Sequence, residues 1–169
     1  DIESPLEMFD EERAGYERLV DQLSSSSGNQ NALARLTRLR QFTGHPGLLD
    51  EELLNDPMVH SAKLFRLIEL LDEVFRSDQK ALVFSTFTGL SDLISQTAAA
   101  HFGIPSVVMD GRTPPQMRQG VIDTFSGING PALMVLHPQT GGVGLNITAA
   151  NHVFHYTLEW NPAKENQGT

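Results

Sequence analysis

Four short apolar segments in the second half of the chain limit the folds that it can adopt. They are ALVFS (81–85), IPSVVMD (104–110), PALMVLH (131–137) and ANHVFHY (150–156). Two segments with a helical pattern lie between them, LSDLISQTAAAHF (90–102) and TPPQMRQGVIDTF (113–125). Apolar strands that alternate with helices of about 10–15 residues form parallel sheets with helices on both faces. The pattern therefore predicts an α/β fold built on a parallel sheet.

Three helical patterns precede the first strand. Residues 10–24 form the first, and the small polar segment SSSSGNQN follows it as a loop. The second begins at Asn31, has a leucine at every third position (33, 36 and 39) and ends near TGHPG. The third follows Pro57 with Ser61 as a candidate cap, and its apolar residues share one face: Leu64, Leu67, Ile68, Leu71, Val74 and Phe75. We expect a helical lead-in over residues 1–57 and the α/β domain over residues 58–169.

The composition excludes several classes of protein. The chain contains no cysteine, which excludes disulfides, thiolate metal sites and a cysteine nucleophile, as is typical of a reducing compartment. No apolar run approaches the roughly 20 residues of a membrane span, and the N-terminus is acidic, unlike that of a signal peptide. We therefore expect a cytoplasmic protein with no membrane partner.

The charge distribution bears on nucleic-acid binding. A net charge of −9 argues against binding by bulk electrostatics, because counterion release requires clustered Lys and Arg. The acidic excess lies in the N-terminal half, whereas residues 111–169 are neutral overall. A surface that contacts phosphates is therefore permitted in the C-terminal half.

A glycine cluster follows the third apolar segment, in TGGVGLN (140–146). Glycines allow backbone amides to face an anion, and a helix that starts near Val143 would add the partial positive charge of its N-terminus. The loop is thus a candidate phosphate site, and a tight turn between strand and helix is the alternative. Neither a Walker A motif nor a dinucleotide-binding fingerprint is present.

Four segments in order carry a family resemblance. They are LTRLRQFTGHPGLL (36–49), KALVFSTF (80–87), VVMDGRTPPQMRQGVIDTF (107–125) and LHPQTGGVGLNITAANHVFHYTLEWNPAKENQ (136–167). Together they resemble the second RecA-like lobe of the Swi/Snf-type ATPases, superfamily-two DNA translocases that include bacterial members. The resemblance implies a RecA-like parallel sheet flanked by helices, after an N-terminal helical lead-in.

The resemblance implies residues that contact DNA. Ser85 and Thr86 match the fourth helicase motif, where they would face the DNA backbone, although hydroxyls that cap the following helix are an alternative. Thr140, Gly141 and Gly142 match the fifth motif, whose hydroxyl and amides touch a phosphate. The chain departs from the family at residues 137–139 (HPQ), where small hydroxyl residues and a lysine are common. The resemblance therefore does not carry over one phosphate contact.

Other positions match the part of the family that binds ATP. Gly144 and Asn146 would face the ATP cleft between the two lobes, and Gln167 matches the opening of the sixth motif. In the family, arginines that reach the ATP phosphates follow this motif, and Thr169 precedes any of them. We expect no catalytic residue in this chain and no ATPase activity of the chain alone. ATP and Mg²⁺ would be bound by the full-length parent protein.

Several further residues have more than one interpretation. Asp110 and Gly111 match a strand-end motif, and Arg112 beside them is interpreted as a solvated charge rather than a contact. Trp160 is either a packing anchor or part of a loop that faces nucleic acid. His152 and His155 do not form a metal site, because residues three apart on a strand point to opposite faces.

The basic flank of the second helix also has two interpretations. Arg35, Arg38 and Arg40 lie in the segment that matches the family's helical lead-in. We interpret them as partners of the acidic flanks in ion pairs, with DNA contacts as the alternative.

The sequence thus predicts the C-terminal lobe of an ATP-dependent double-stranded DNA translocase. Its partners would be duplex DNA and the first RecA-like lobe of the same polypeptide, in the cytoplasm of a bacterium and associated with the nucleoid. One alternative is a non-enzymatic RecA-like interaction module. Another is a Rossmann-like small-molecule enzyme, which is disfavoured because the fingerprint and its acidic residue are missing.

Overall fold

The computed structural model describes residues 7–25, 32–141 and 147–156, and these residues divide into two compact units between Leu67 and Ile68. The longer helices are α1 (Asp10–Ser25), α2 (Ala32–Gly44), α3 (Ala62–Arg76), α4 (Thr88–Phe102) and α5 (Pro115–Ser126). A four-residue helix, α6 (Pro138–Gly141), completes the described helices, apart from three short 3₁₀ helices at Pro46–Leu48, Glu51–Asn55 and Pro57–Val59. No helix in this part of the chain is long and apolar enough to cross a membrane.

The first unit is built on α1 and α2. Leu19 and Leu23 of α1 pack with Phe42 of α2 in a small apolar cluster, which Tyr16, Leu39 and Leu49 flank. The 3₁₀ helices follow α2, and the imidazole of His45 caps the first of them by accepting the N–H of Gly47. The helices predicted at residues 10–24 and from residue 31 are therefore confirmed.

One feature of α2 differs from its sequence pattern. Leu33 is 67% exposed and Leu36 is 43% exposed, whereas Phe42 is buried. A step of three residues rotates by about 300° around a helix, so a leucine at every third position drifts away from one face. The series at 33, 36 and 39 therefore does not form the buried side of α2.

Helix α3 matches its sequence pattern closely. The hydroxyl of Ser61 accepts the N–H of Leu64 at 3.1 Å, so the predicted cap is present. All six predicted apolar residues are buried: Leu64, Leu67, Ile68, Leu71, Val74 and Phe75. Their spacing at three and four residues keeps them on one stripe of a 3.6-residue helix.

The second unit contains a four-stranded parallel sheet. Its strands are β1 (Lys80–Phe84), β2 (Ser106–Met109), β3 (Ala132–Leu136) and β4 (His152–His155), in the spatial order β2-β3-β1-β4. Every described pair of neighbours is parallel. The predicted α/β fold with a RecA-like parallel sheet is therefore confirmed.

Helices cover both faces of this sheet. On one face Ile122 and Phe125 of α5 pack against strand residues of a buried cluster: Leu82, Met109, Ala132, Met134 and Leu136. Residues that alternate with these point to the other face, where α4 packs on β2 and β3. All five residues of β3 are buried, which explains why this strand is a continuous apolar run.

Candidate nucleic-acid interface

The residues that follow the strands lie in one row at the carboxyl edge of the sheet. Backbone hydrogen bonds fix this row beyond the ends of the strands. Ser85 N–H donates to the Leu136 carbonyl at 2.8 Å, and His137 N–H donates to the Met109 carbonyl at 3.2 Å. Tyr156 N–H donates to the Phe84 carbonyl at 3.0 Å. Ligands of open parallel sheets bind at this edge, so the row is the candidate site.

Ser85 stands out within the row. Its side chain is fully buried, and its Oγ has no hydrogen-bond partner in the structure. The hydroxyl therefore does not cap α4, and that interpretation is wrong for Ser85. A buried hydroxyl without a partner costs about 1–3 kcal/mol, so its retention needs a reason outside the folded core.

The predicted contact residues differ in accessibility. Thr86 is half-buried at the start of the segment that leads into α4. Thr140 is buried at 5% exposure, whereas Gln139 beside it is exposed. In this conformation Thr86 and Gln139 can meet an approaching phosphate directly, and Ser85 and Thr140 cannot.

Helix α6 begins directly after β3 and carries Thr140. The imidazole Nδ1 of His137 accepts the N–H of Gln139 at 3.1 Å, and the His137 carbonyl accepts the N–H of Thr140 at 3.0 Å. His137 therefore fixes the first turn of α6 on the row. The helix ends at Gly141.

Four of the predicted site residues lie outside the described residues. They are Gly142, Gly144, Asn146 and Gln167. The helix predicted from Val143 and the side chain of Trp160 fall in the same undescribed ranges.

Asp110 follows β2 and is held on several sides. Its carboxylate accepts the backbone N–H of Arg112 at 3.0 Å and the Arg112 Nε–H at 3.1 Å. Its carbonyl accepts the N–H of Thr113 at 2.9 Å. Arg118 of α5 donates from Nε to the Thr113 carbonyl at 3.1 Å, which ties the turn to that helix. Residues 110–113 are thus a rigid turn at the edge of the sheet.

Arg112 joins this turn to α4. Its Nη1 and Nη2 donate to the two carboxylate oxygens of Asp92 at 3.0 and 2.8 Å, and Nη2 also donates to Asp110 Oδ2 at 2.9 Å. The hydrogen bonds from Arg112 lower the pKa of Asp110, and its bonds to Asp92 and Asp110 raise the pKa of Arg112. Arg112 was predicted to be a solvated charge, but the structure engages it with two carboxylates.

The two strand histidines have separate environments. His152 lies 2.5 Å from the side-chain oxygen of Gln79, and the ring of His155 stacks on Phe84 with ring centroids 5.2 Å apart. No group of three His, Asp or Glu residues that could hold a metal ion occurs within the described ranges.

The comparison with protein families identifies the chain. The family "Helicase conserved C-terminal domain" matches residues 62–169, which include the whole sheet and its carboxyl edge. The chain belongs to this family. The predicted kinship with the second RecA-like lobe of Swi/Snf-type ATPases is confirmed.

One relative and two solved structures show where this helicase domain stands in the family. YwqA of Bacillus subtilis, which carries the name of an ATP-dependent helicase/translocase, is 35% identical over 94% of this chain. The chain spans 18% of YwqA, less than a fifth of its length. The Sulfolobus solfataricus SWI2/SNF2 ATPase C-terminal domain is 25% identical, with a TM-score of 0.75, over 95% of this chain and 73% of that one.

The second structure adds information on the fold. The SWI2/SNF2 ATPase core of Sulfolobus solfataricus in complex with dsDNA has a TM-score of 0.77 over 96% of this chain and 36% of that one, at 23% identity. At this identity the match establishes the shared fold of the two lobes.

The lead-in of the helicase domain departs from one expectation. Arg38 and Arg40 of α2 are exposed, and neither forms an ion pair with any residue that the structure describes. The predicted pairing with the acidic flanks is therefore wrong for these two residues. Arg35 is partly buried.

Sequence reasoning missed two residues of the row in this helicase domain. Asp92 lies on α4, twenty positions before Arg112, and no local motif marks it. His137 was noted as a departure from the family, although its ring caps α6. The histidine that directly precedes a proline helix start was the available signal, because such a side chain can reach the free N–H groups of the first turn.

Proposed function

We propose that this chain is the second RecA-like lobe of an ATP-dependent double-stranded DNA translocase. The row at the carboxyl edge contacts the DNA backbone, with Thr86, Gln139 and the α6 turn on the accessible side. The loop at 142–146, with Gln167, forms one wall of the ATP cleft. Function belongs to the complete two-lobed protein, in which ATP binding closes the lobes and hydrolysis reopens them.

The observation that carries the proposal is the row itself. Three backbone hydrogen bonds place Ser85, His137 and Tyr156 at one edge of a parallel sheet, next to Asp110 and α6. The buried, unpartnered hydroxyl of Ser85 supports a ligand at this edge. The printed description of the Sulfolobus core, a complex with dsDNA, supports duplex DNA as that ligand.

ATP and Mg²⁺ belong to the parent protein in this proposal. The name of YwqA supports ATP as the fuel. Gly144, Asn146 and Gln167 would face the nucleotide, and the described ranges hold no acidic cluster for a metal. Most nucleotide contacts and the Mg²⁺ ligands are therefore assigned to the first lobe. We also propose residues 1–57 as the helical lead-in and 58–169 as the lobe, in a bacterial cytoplasm and at the nucleoid.

Substitutions of Gln139 test the DNA surface. Gln139 is exposed on α6, at a position where the family commonly has lysine. Gln139→Lys should tighten binding of a labelled duplex by the chain, and Gln139→Glu should weaken it, each by about two- to five-fold at low salt. Fluorescence anisotropy at several KCl concentrations measures both effects. The slope of log Kd against log[KCl] should increase by about one phosphate contact for the lysine variant.

Matched variants on α4 separate local contact from total charge. Gln96 is exposed on α4, away from the strand ends, so Gln96→Lys and Gln96→Glu change the net charge by the same amounts. They should leave DNA affinity nearly unchanged. Equal effects at positions 96 and 139, or no effect at either, would contradict a DNA surface at this edge and favour a protein interaction module.

A further inference from the structure

Arg112 is occupied by two carboxylates at the edge that we propose faces DNA. Nη1 and Nη2 donate to Asp92 at 3.0 and 2.8 Å, and Nε and Nη2 donate to Asp110 at 3.1 and 2.9 Å. Each guanidinium nitrogen therefore has a carboxylate acceptor in the DNA-free protein. The Arg112 side chain is nevertheless 53% exposed.

The two carboxylates differ in how readily they can be released. The Asp110 side chain is 3% exposed and also accepts the backbone N–H of Arg112. Leaving this buried carboxylate without its partner would be costly, because its charge would lose compensation in a dry environment. The Asp92 side chain is 39% exposed on α4, so water can solvate it after release.

We infer that a phosphate of the DNA backbone replaces Asp92 on Arg112. Nη1 and Nη2 present a fork to the two oxygens of Asp92, and the same fork fits two oxygens of a phosphate. Asp110 stays bound through Nε and keeps the fork aimed at the edge of the sheet. Asp92 is thus an internal competitor of DNA, and Arg112 is a phosphate contact that DNA has to release. The inference rests on the proposed function.

A double-mutant cycle on the chain tests the exchange. Binding of a labelled duplex is titrated at several KCl concentrations for the wild type, Asp92→Asn, Arg112→Gln and the double variant. Asp92→Asn removes the competitor and should tighten binding about two- to five-fold. Arg112→Gln should weaken binding more in the Asp92→Asn background than in the wild type, because Arg112 is then fully available to phosphate.

Two further variants guard against trivial explanations. Arg112→Lys keeps a positive charge beside Asp110 but lacks the fork, so Asp92→Asn should tighten binding less in this background even though the fold is preserved. Asp72→Asn is the matched control, because Asp72 pairs with Arg76 at 3.0 Å and is 40% exposed. That pair lies in the last turns of α3, which lead to the amino end of β1. Asp72→Asn should leave the affinity unchanged.

The outcomes separate this exchange from the proposed function. If Asp92→Asn has no effect, or tightens binding equally with and without Arg112, the exchange is overturned and any gain is a through-space effect of charge. In that case Gln139→Lys still tightens binding. If no variant binds the duplex at the lowest KCl concentration, or if Gln139→Lys and Gln139→Glu have no effect, the DNA surface itself is overturned.

Discussion

The imidazole of His45 accepts the N–H of Gly47 through Nδ1 at 2.8 Å, while its Nε2 lies 2.8 Å from the Pro57 carbonyl oxygen. Because Nδ1 accepts a hydrogen bond, the proton of the neutral ring is on Nε2, which donates to Pro57. The ring is fully buried and closes a loop of twelve residues. Burial, opposed in part by the bond to Pro57, lowers the pKa of His45.

We expect the stability of the chain to fall in mild acid because of His45. Its pKa is lower in the folded protein than the ordinary value of about 6.5, so the unfolded chain binds this proton first as pH falls. The contribution is fully present above about pH 6.5 and is lost between that value and the lower folded pKa. Thermal melting from pH 8 to pH 5 measures the loss.

His45→Asn should flatten this pH dependence. The Asn side chain can still accept the Gly47 N–H, but it does not titrate and cannot reach Pro57. The variant should therefore be less stable at pH 8, with a smaller further loss at pH 5. His101→Asn, at an exposed position on α4, is the control. An unchanged slope in His45→Asn would show that another group causes the acid sensitivity.

Glu12 should contribute to stability through an acceptor rather than through its charge. It is 6% exposed, and its Oε1 accepts the N–H of Phe9 at 3.1 Å and the N–H of Ala62 at 3.0 Å. Glu12→Ala leaves the Ala62 N–H buried without an acceptor, and we expect a loss of about 1–3 kcal/mol. Glu12→Gln keeps an acceptor oxygen and should recover most of it. Urea unfolding compares the two variants, and equal losses would refute the argument.

Two glycine-to-alanine substitutions should have opposite effects on stability. Gly103 ends α4 at φ +65°, and Gly120 lies inside α5, and neither has an atom within 4 Å of an added Cβ. Gly103→Ala should cost about 1 kcal/mol from backbone strain alone. Gly120→Ala should stabilise α5 by about 0.5–1 kcal/mol. The midpoint of urea unfolding measures both, and a destabilising Gly120→Ala would indicate a packing role for that glycine.

We expect no ATP hydrolysis by this chain alone. The sequence lacks a Walker A motif, and phosphoryl transfer depends on a phosphate cradle and bound Mg²⁺. Phosphate release with and without duplex DNA measures the activity. Turnover that persists through stringent purification would contradict the assignment of the nucleotide contacts to another lobe.

Much of the fold could be predicted because strong local patterns specify it. The run at 132–136 is apolar throughout since both faces of β3 are covered, and the spacing in α3 matches one helical stripe. The buried side of α2 could not be predicted in the same way. Phe42 packs there with α1, whereas the more regular leucines at 33 and 36 are exposed.

The candidate site could be predicted in position but not in detail. Parallel strands bring their carboxyl ends to one edge, so Ser85, Asp110 and residue 137 were expected to lie close together. Their accessibility and partners depend on tertiary packing. The pairing of Arg112 with Asp92 joins residues on different elements, and the burial of Thr140 follows from the placement of α6. Neither leaves a signal in the local sequence.

The row at the sheet edge is located by main-chain groups, and this has an evolutionary consequence. Ser85 and His137 are positioned through their N–H groups, which every amino acid except proline possesses. Selection can therefore exchange the side chains at these two positions without relocating the backbone that presents them. A lineage could retune the affinity of this edge, or change the ligand that it meets, through single substitutions that leave the domain folded.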